Sequence, residues 1–310
     1  MLDPVIIAEQ TFGIHLKHVH GDEWRSLNGC PFCGDGGKGS ASDRFRVFTG
    51  AKPRYWCRKC GKTGFLDEAR QLTESEKLEA RIRALEQKAV EHERRMTRLE
   101  QLQATSPHLA YHRRLLRDEA AMEYWFSEGM TSETINHYHL GYCDRCPTDN
   151  EGRASYTIPV ESNGRLWNIR HRLIGGDPGD KYRPHMAGLP TVLFNADYLR
   201  EAEPARILIV EGEKKSIIAA QSGFANVGIM GKSGFLREWV PKFERFARVY
   251  VALDPDATQN AAQLARLFGE RGRVVLLPAK FDDLIVKYGA GAEDIEGFLA
   301  SAVPFSKVEV

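Results

Sequence analysis

The 310-residue chain contains no apolar run approaching the roughly 20 residues that span a bilayer, and it does not open on a secretory signal. A membrane partner is therefore not expected, and the expected setting is cytoplasmic. Neither sign of charge dominates: 43 Lys and Arg stand against 42 Asp and Glu, for a net charge of +1. That balance removes any bulk electrostatic argument for a polyanionic partner and moves the question to local patches. Cysteine is scarce, at six residues. Four of the six form two CxxC pairs, which in a reducing compartment read as metal ligands rather than disulfides. A Walker motif is missing as well. Gly231-Lys232-Ser233-Gly234 would need glycine at position 226, where Asn226 stands, although Lys232 could still approach a phosphate from its turn. From Leu66 to Gln103 both glycine and proline are absent.

What remains is an ordinary globular composition, 42% hydrophobic and 27% charged, long enough for two or three domains. Two metal-capable constellations stand at its ends. Cys30-Pro31-Phe32-Cys33 and Cys57-Arg58-Lys59-Cys60-Gly61 offer four thiolates in knuckle turns, a set suited to tetrahedral zinc. Four protein ligands leave no open position for water, so this zinc is expected to be structural. Around it crowd Arg44, Arg46, Lys52, Arg54, Arg58, Lys59 and Lys62, interleaved with Phe45, Phe48, Tyr55 and Trp56. Such cations neutralise phosphates and such rings stack on exposed bases. The alternation in Arg44-Phe45-Arg46-Val47-Phe48 predicts a strand in a small β ribbon over about 14–66, whose folding would lean on the metal.

The glycine-free stretch keeps Leu78, Ile82, Leu85, Ala89, Met96 and Leu99 at spacings of three and four, interrupted by His92. It predicts one long amphipathic helix, read as a connector lying on its own protein in preference to a dimerising coiled coil. Short helices are expected over 107–142. Tyr156–Val160 and Leu166–Arg170 flank Ser162-Asn163-Gly164, a hairpin turn. Beyond about 205, Ile207–Val210, Val227–Met230, Val249–Leu253 and Val274–Leu277 alternate with helical runs, the pattern of a parallel sheet covered by helices. Active sites gather at the carboxyl ends of such strands. There lie Glu211 and, as i and i+2 of an extended chain, Asp254 and Asp256, hard oxygen donors for magnesium or manganese. Asp282 and Asp283 follow the last strand; either could complete the cluster, and Asp283 reads equally as the N-cap of the final helix. Glu213 reads as a carboxylate complementing a helix dipole. A second basic stretch holds Arg165, Arg170, Arg172, Lys181 and Arg183. Cys143-Asp144-Arg145-Cys146, a third CxxC, has no partner pair and reads as two ordinary loop cysteines.

Together these residues resemble the bacterial and phage-type (DnaG-like) DNA primases over nearly the whole chain. Cys30-Pro31-Phe32-Cys33 with Tyr55-Trp56-Cys57-Arg58-Lys59-Cys60-Gly61 resembles the primase zinc ribbon, its all-cysteine ligand set being closer to phage primase-helicases. Tyr111 to Leu116, Leu140-Gly141-Tyr142, Pro159-Val160 and Arg170-His171-Arg172 are similar to the family's polymerase core. Lys181-Tyr182 and Leu193-Phe194-Asn195 are similar to its nucleotide and template segment. Val210-Glu211-Gly212-Glu213, Leu253-Asp254-Pro255-Asp256 and Asp282-Asp283-Leu284 resemble the TOPRIM fold. In place of the family's usual Asp-Pro-Asp near the third acidic position stand Lys280-Phe281 and an Asp pair.

The resemblance implies an α+β multidomain chain: a zinc ribbon over 1–66, a helical linker over 67–106, the first part of a polymerase core over 107–204 and an α/β TOPRIM unit over 205–310. No helicase domain is seen, which fits a stand-alone primase of a phage, mobile element or bacterium, or a fragment of a longer protein. It further implies synthesis of short RNA primers from ribonucleoside triphosphates on single-stranded DNA, with a replicative helicase as a possible partner. Glu211 would be the catalytic glutamate, with Asp254 and Asp256 sharing the catalytic centre. Asp254, Asp256 and Asp282 would hold magnesium or manganese. Arg170, Arg172, Lys181, Arg183 and Lys232 would contact nucleotide or template, with Arg44, Arg46 and Trp56 on the ribbon. Two other classes stay open: a TOPRIM nuclease, and a primase-derived module that binds single-stranded DNA without catalysis.

Overall fold

The computed structural model describes residues 3–34, 44–66, 74–176 and 182–308. Lys181 and the glycines at 36, 37 and 39 lie outside these segments. The described chain divides into two compact units, 1–87 and 88–310, and is mixed α/β with three sheets.

The first unit opens on α1 (Pro4–Phe12), ahead of where the sequence reading placed any structure. Its start is nonetheless encoded locally: the Asp3 carboxylate accepts from the Val5 N–H at 2.8 Å and Pro4 takes the first helical position. Five strands follow, β1 (Leu16–His20), β2 (Glu23–Ser26), β3 (Phe45–Phe48), β4 (Arg54–Cys57) and β5 (Thr63–Phe65), paired antiparallel in chain order. Their small core consists of Ala8, Ile14, Phe45, Val47 and Leu66 with Cys30 and Cys57. Two aromatics assigned to base stacking belong to that core instead. Phe45 is buried, and Tyr55 packs on Phe45 and against the edge of Phe12. Alternation along β3 and β4 turns them inward, while Trp56 stays exposed beneath the Arg58 guanidinium.

The glycine-free stretch forms α2 (Glu74–Thr105), and the division between the two units falls within it. Its apolar seam behaves differently at its two ends. Leu78, Ile82 and Leu85 are exposed, whereas Leu99 and Leu102 are fully buried. Within the second unit Leu102 packs with Leu166 and Ile169, and the Gln103 amide donates to the Leu166 carbonyl at 3.0 Å. Of the seam residues described, those in the last turns of α2 lie on protein in the way expected of the whole helix, and Leu78, Ile82 and Leu85 do not.

Three short helices come next: α3 (Pro107–Leu115), α4 (Glu119–Ser127) and α5 (Ser132–His137). An antiparallel sheet follows, β6 (Gly141–Cys143), β7 (Ser155–Ser162), β8 (Arg165–Leu173) and β9 (Tyr182–Pro184). Asn163 and Gly164 both have positive φ, 55° and 65°, as the two-residue hairpin turn demands. A short helix, α6 (Tyr198–Glu201), leads into β10 (Arg206–Glu211), α7 (Glu213–Gln221), β11 (Asn226–Ile229), β12 (Arg248–Ala252), α8 (Thr258–Arg266), β13 (Gly272–Val274), α9 (Phe281–Val286) and α10 (Ala292–Ala300). The four strands are parallel in the order β11-β10-β12-β13. Both faces are covered, which is why these strands read as continuous apolar runs. Ile207, Ile209, Val249 and Val251 meet Phe243, Phe246 and Phe268 on one side. On the other, Leu208, Val210 and Ala252 meet Ala219, Phe281 and Leu284.

Two expectations shift in detail. The helical run expected between Val227–Met230 and Val249–Leu253 is a 3-10 segment, Arg237–Phe243, because Pro241 cannot supply an α-helical N–H. The last strand is Gly272–Val274 rather than 274–277: Val274 pairs with Val303, and after the Val275 N–H bonds the Val251 carbonyl at 3.0 Å the chain leaves the sheet. No helix among the described residues is long and apolar enough to cross a membrane.

Candidate active site and metal centre

The four ribbon cysteines arrive from two turns of the same construction. In each, a glycine directly after the second cysteine adopts the left-handed conformation, Gly34 at φ 68° and Gly61 at φ 71°. Its N–H returns to the carbonyl of the first cysteine at 2.9 Å, Gly34 to Cys30 and Gly61 to Cys57. This curls the backbone beneath both thiolates of a pair, a conformation that costs a side-chain-bearing residue more than glycine. All four Sγ atoms lie within 4.8 Å of one another, with Cys30–Cys60 and Cys33–Cys57 at 3.9 Å. Ligands about 2.3 Å from a tetrahedral zinc stand about 3.8 Å apart, so the donors fit that ion. Burial pushes the Cys30 thiol up to about 12. Burial also raises Cys57, but the backbone N–H groups of Cys60 and Lys59 outweigh it and draw that thiol down to about 7. A set with one thiol so readily ionised is primed to exchange protons for a cation.

The carboxylates stand at the carboxyl ends of β10 and β12. Glu211 closes β10, and Gly212 at φ 87° turns the chain into α7. Glu211 is pushed upward in pKa by burial and by the neighbouring Asp254 carboxylate, and its Oε2 is buried without a hydrogen-bond partner. Asp254 is buried and its Oδ1 lies 3.0 Å from Lys215 Nζ. Asp256 does not share that face. Pro255 opens a 3-10 turn directly after Asp254, so the i, i+2 alternation of a strand fails, and Asp256 points to solvent 3.4 Å from Lys232.

Asp282 is buried in the first turn of α9, 2.7 Å from Lys214 Nζ, and Lys214 also pairs with Glu128. Burial raises the Asp282 carboxyl, but the lysine more than offsets this and holds it below its usual range. Asp283 is not the N-cap; Lys280 occupies that position in extended conformation, and Asp283 pairs with Lys287 at 2.9 Å. Among the described residues, Glu211, Asp254, Asp256 and Asp282 do not bring three oxygens within 4.8 Å of one another. Their chemistry nonetheless suits a hard divalent cation. Glu211 and Asp282 each keep a buried oxygen with no hydrogen bond, which is costly unless something else engages it.

Beside Glu211 opens a cavity of about 390 Å³, lined by Arg170, Tyr182, Glu213, Lys214 and Lys215 together with Glu211 itself. Arg170 reaches it from β8 and is held by Glu213 at 2.9 Å, with both side chains largely buried. Arg172, two residues on, pairs with Glu128 at 2.9 Å and lies over the Tyr124 ring. Arg183 does not line this cavity; it donates to the Thr148 carbonyl at 2.7 Å and lies 3.4 Å from Asp149. Arg46 lies on the ribbon 3.3 Å from Glu23, opposite Trp56 across the β3–β4 ladder, and exposed Arg44 immediately precedes β3.

By sequence, neither a family model nor a curated protein matches the chain. By structure it is similar to the zinc-binding and RNA polymerase domains of the Aquifex aeolicus primase. The TM-score is 0.51 at 18% identity, over 97% of this chain and 83% of that one. The E. coli primase catalytic core gives 0.52 at 21% identity, over 67% and 81%. A DnaG primase catalytic domain bound to single-stranded DNA gives 0.54 at 22%, over 69% and 84%. The fold is that of a DnaG-type primase.

Within that fold, several groups around the acidic residues escaped the sequence reading. Lys214 and Lys215 directly follow Glu213 and neutralise Asp282 and Asp254. Their signal was present, since the first turn of a helix after a strand faces the carboxyl end of the sheet. Glu128 carried no signal: it ends α4 and meets Lys214 only through tertiary packing. Glu213, read as a helix-dipole partner, does occupy the first turn of α7, yet its closest partner is Arg170. Cys143 and Cys146 are buried thiols, Cys143 lying 3.1 Å from the Arg145 carbonyl and Cys146 3.4 Å from the Thr148 hydroxyl.

Proposed function

We propose that the chain is a primase: it joins ribonucleoside triphosphates on a single-stranded DNA template, using the acidic end of its parallel sheet as the reaction centre in the manner of a TOPRIM enzyme. The observation that carries this reading is the cavity beside Glu211. It sets a buried, unpartnered carboxylate oxygen against three cations, Arg170 from β8 and Lys214 and Lys215 from α7. Carboxylates that repel a polyanion serve no pure DNA binder, whereas carboxylates with cations beside them suit a metal-bound triphosphate.

Asp254 and Asp282 would hold magnesium or manganese, joined by Asp256 on exchanging Lys232 for the ion, and the cation would neutralise the triphosphate and make the primer hydroxyl easier to deprotonate. Glu211, whose burial favours its protonated form, is suited to take that proton once a cation draws it into the ionised state. The hydroxyl oxygen bonds to the α-phosphorus as the bond to pyrophosphate breaks, and Lys214, Lys215 and Arg170 would balance the charge of the departing phosphates. Arg170 is held by Glu213 and so keeps its place without substrate. On the ribbon, exposed Trp56 beneath Arg58 would stack on a template base, with Arg44 and Arg46 beside it. The zinc is structural in this scheme.

The test is incorporation of labelled nucleoside triphosphates on a mixed single-stranded template with magnesium, wild type beside Asp254→Ala, with DNA binding measured in parallel. Short products lost in the variant while binding persists support the reading. Salt-sensitive binding with no incorporation, with manganese also supplied, would favour the non-catalytic module. Nicking of the DNA without nucleotides would favour the nuclease.

A further inference from the structure

Away from the acidic cleft, three elements of the second unit converge on one carboxylate. Glu161 lies on β7, His108 in the first turn of α3, and His139 at the junction of α5 and β6. His108 Nε2 is 3.2 Å from Glu161 Oε1, and His139 Nδ1 is 3.2 Å from Glu161 Oε2. All three ligand atoms lie within 4.8 Å of one another. His108 is 5% exposed, and its other nitrogen, Nδ1, is buried with no hydrogen-bond partner. His139 is held in the left-handed conformation at φ 46°, uncommon for a residue with a side chain. One turn along α3 from His108, His112 places its ring edge-on to His139 at 5.6 Å between centroids. Its Nδ1 lies 2.7 Å from the Leu140 carbonyl, which can only accept, so Nδ1 carries a proton.

Two readings compete for these atoms. As hydrogen bonds, the two imidazole–carboxylate distances stand at the long end of the ordinary range and leave His108 Nδ1 unanswered. The two contacts use different oxygens of Glu161, so one ion can be shared by both imidazoles when the carboxylate turns both oxygens toward it, and the three donors lie within 4.8 Å of one another. Two imidazoles and a carboxylate form a borderline donor set suited to zinc rather than to magnesium.

We propose that His108, His139 and Glu161 form a second metal site of the zinc class, distinct from the four-cysteine centre. Its role is to tie α3 and the α5–β6 junction to β7, a region whose own hydrophobic cover is a set of short helices.

The test is zinc content per chain in the full-length protein after dialysis against metal-free buffer, for wild type, Glu161→Gln, His139→Asn and the double variant Cys57→Ser/Cys60→Ser. Asparagine is chosen at 139 because it tolerates the left-handed backbone. Wild type should hold two equivalents and each variant one. On cobalt substitution, the thiolate-to-metal charge-transfer absorption should persist in Glu161→Gln and His139→Asn. In the cysteine variant it should vanish, leaving only a weak ligand-field spectrum. A folded wild type holding one equivalent, lost in the cysteine variant, would overturn the proposal whatever the histidine variants do. So would a second equivalent that survives both Glu161→Gln and His139→Asn.

Discussion

The cysteine centre and the acidic cleft are built in opposite ways. The cysteine centre is local: two turns of five residues each, both closed by a left-handed glycine, already hold four donors at the separations zinc requires. The acidic cleft is assembled from strand ends and helix starts far apart in sequence, and lysines already sit on two of its carboxylates. The contrast separates two uses of a metal. In the ribbon a zinc ion, which the four thiols fit, would substitute for a hydrophobic core too small to fold alone. In the cleft the sheet folds by its own two-sided core, so the carboxylates are free to be tuned for chemistry.

The sharpest way to break that contrast is to remove the ribbon's ligands. Cys57→Ser/Cys60→Ser should abolish hydrogen-exchange protection over residues 14–66, because structural zinc supplies on the order of 10 kcal/mol to such units. Protection in β10 and β12 should be unchanged. Loss of protection in both regions would show that the parallel sheet also depends on the ribbon.

Next in size is Glu211→Gln. Nucleotide incorporation should fall roughly a hundredfold or more, while the melting temperature holds or rises. Replacing a buried carboxylate with a neutral amide removes a desolvation cost that function alone justifies. A marked loss of stability would instead give Glu211 a structural role.

A third prediction concerns pH. His171 is fully buried between Ser155 and His185, and burial first, then the neighbouring imidazole, lowers it from 6.5 to about 3. The folded chain keeps it neutral, whereas the unfolded chain binds a proton below pH 6.5. Its contribution is therefore complete above that pH and is lost as pH falls toward 3, by up to ~1.4 kcal/mol per pH unit. In denaturant titrations of the second unit, His171→Gln should flatten that slope whatever it does to stability at pH 8. An unchanged slope would place the acid sensitivity elsewhere.

The smallest effect is on the ribbon surface. Trp56→Ala should weaken single-stranded DNA binding by about 1–3 kcal/mol with little change in its salt dependence. Phe48→Ala, at a half-buried ring capped by Arg54, should cost less binding. Equal losses would argue against stacking on Trp56.

What the sequence disclosed follows the same division. The CxxC pairs and the Asn163-Gly164 turn are short-range patterns, and the four thiols and the hairpin sit where that spacing placed them. The Asp3-Pro4 signal for α1 was equally local and was passed over. What spacing could not reveal is what meets what. Glu213 finds Arg170 across 43 residues and Lys214 finds Glu128 across 86. Phe45 and Tyr55 looked like a binding surface because alternation shows that two faces differ without saying which one is covered. Asp256 left the expected face because a single proline replaced strand geometry with a turn.

The most direct test of the account is a time course of ribonucleotide incorporation on single-stranded DNA at saturating magnesium, comparing wild type with Glu211→Gln at equal folded concentration. The account predicts short RNA products from wild type and at least a hundredfold fewer from the variant, with both proteins binding DNA alike. Undiminished synthesis by Glu211→Gln would contradict it and move the reaction centre away from the end of the parallel sheet.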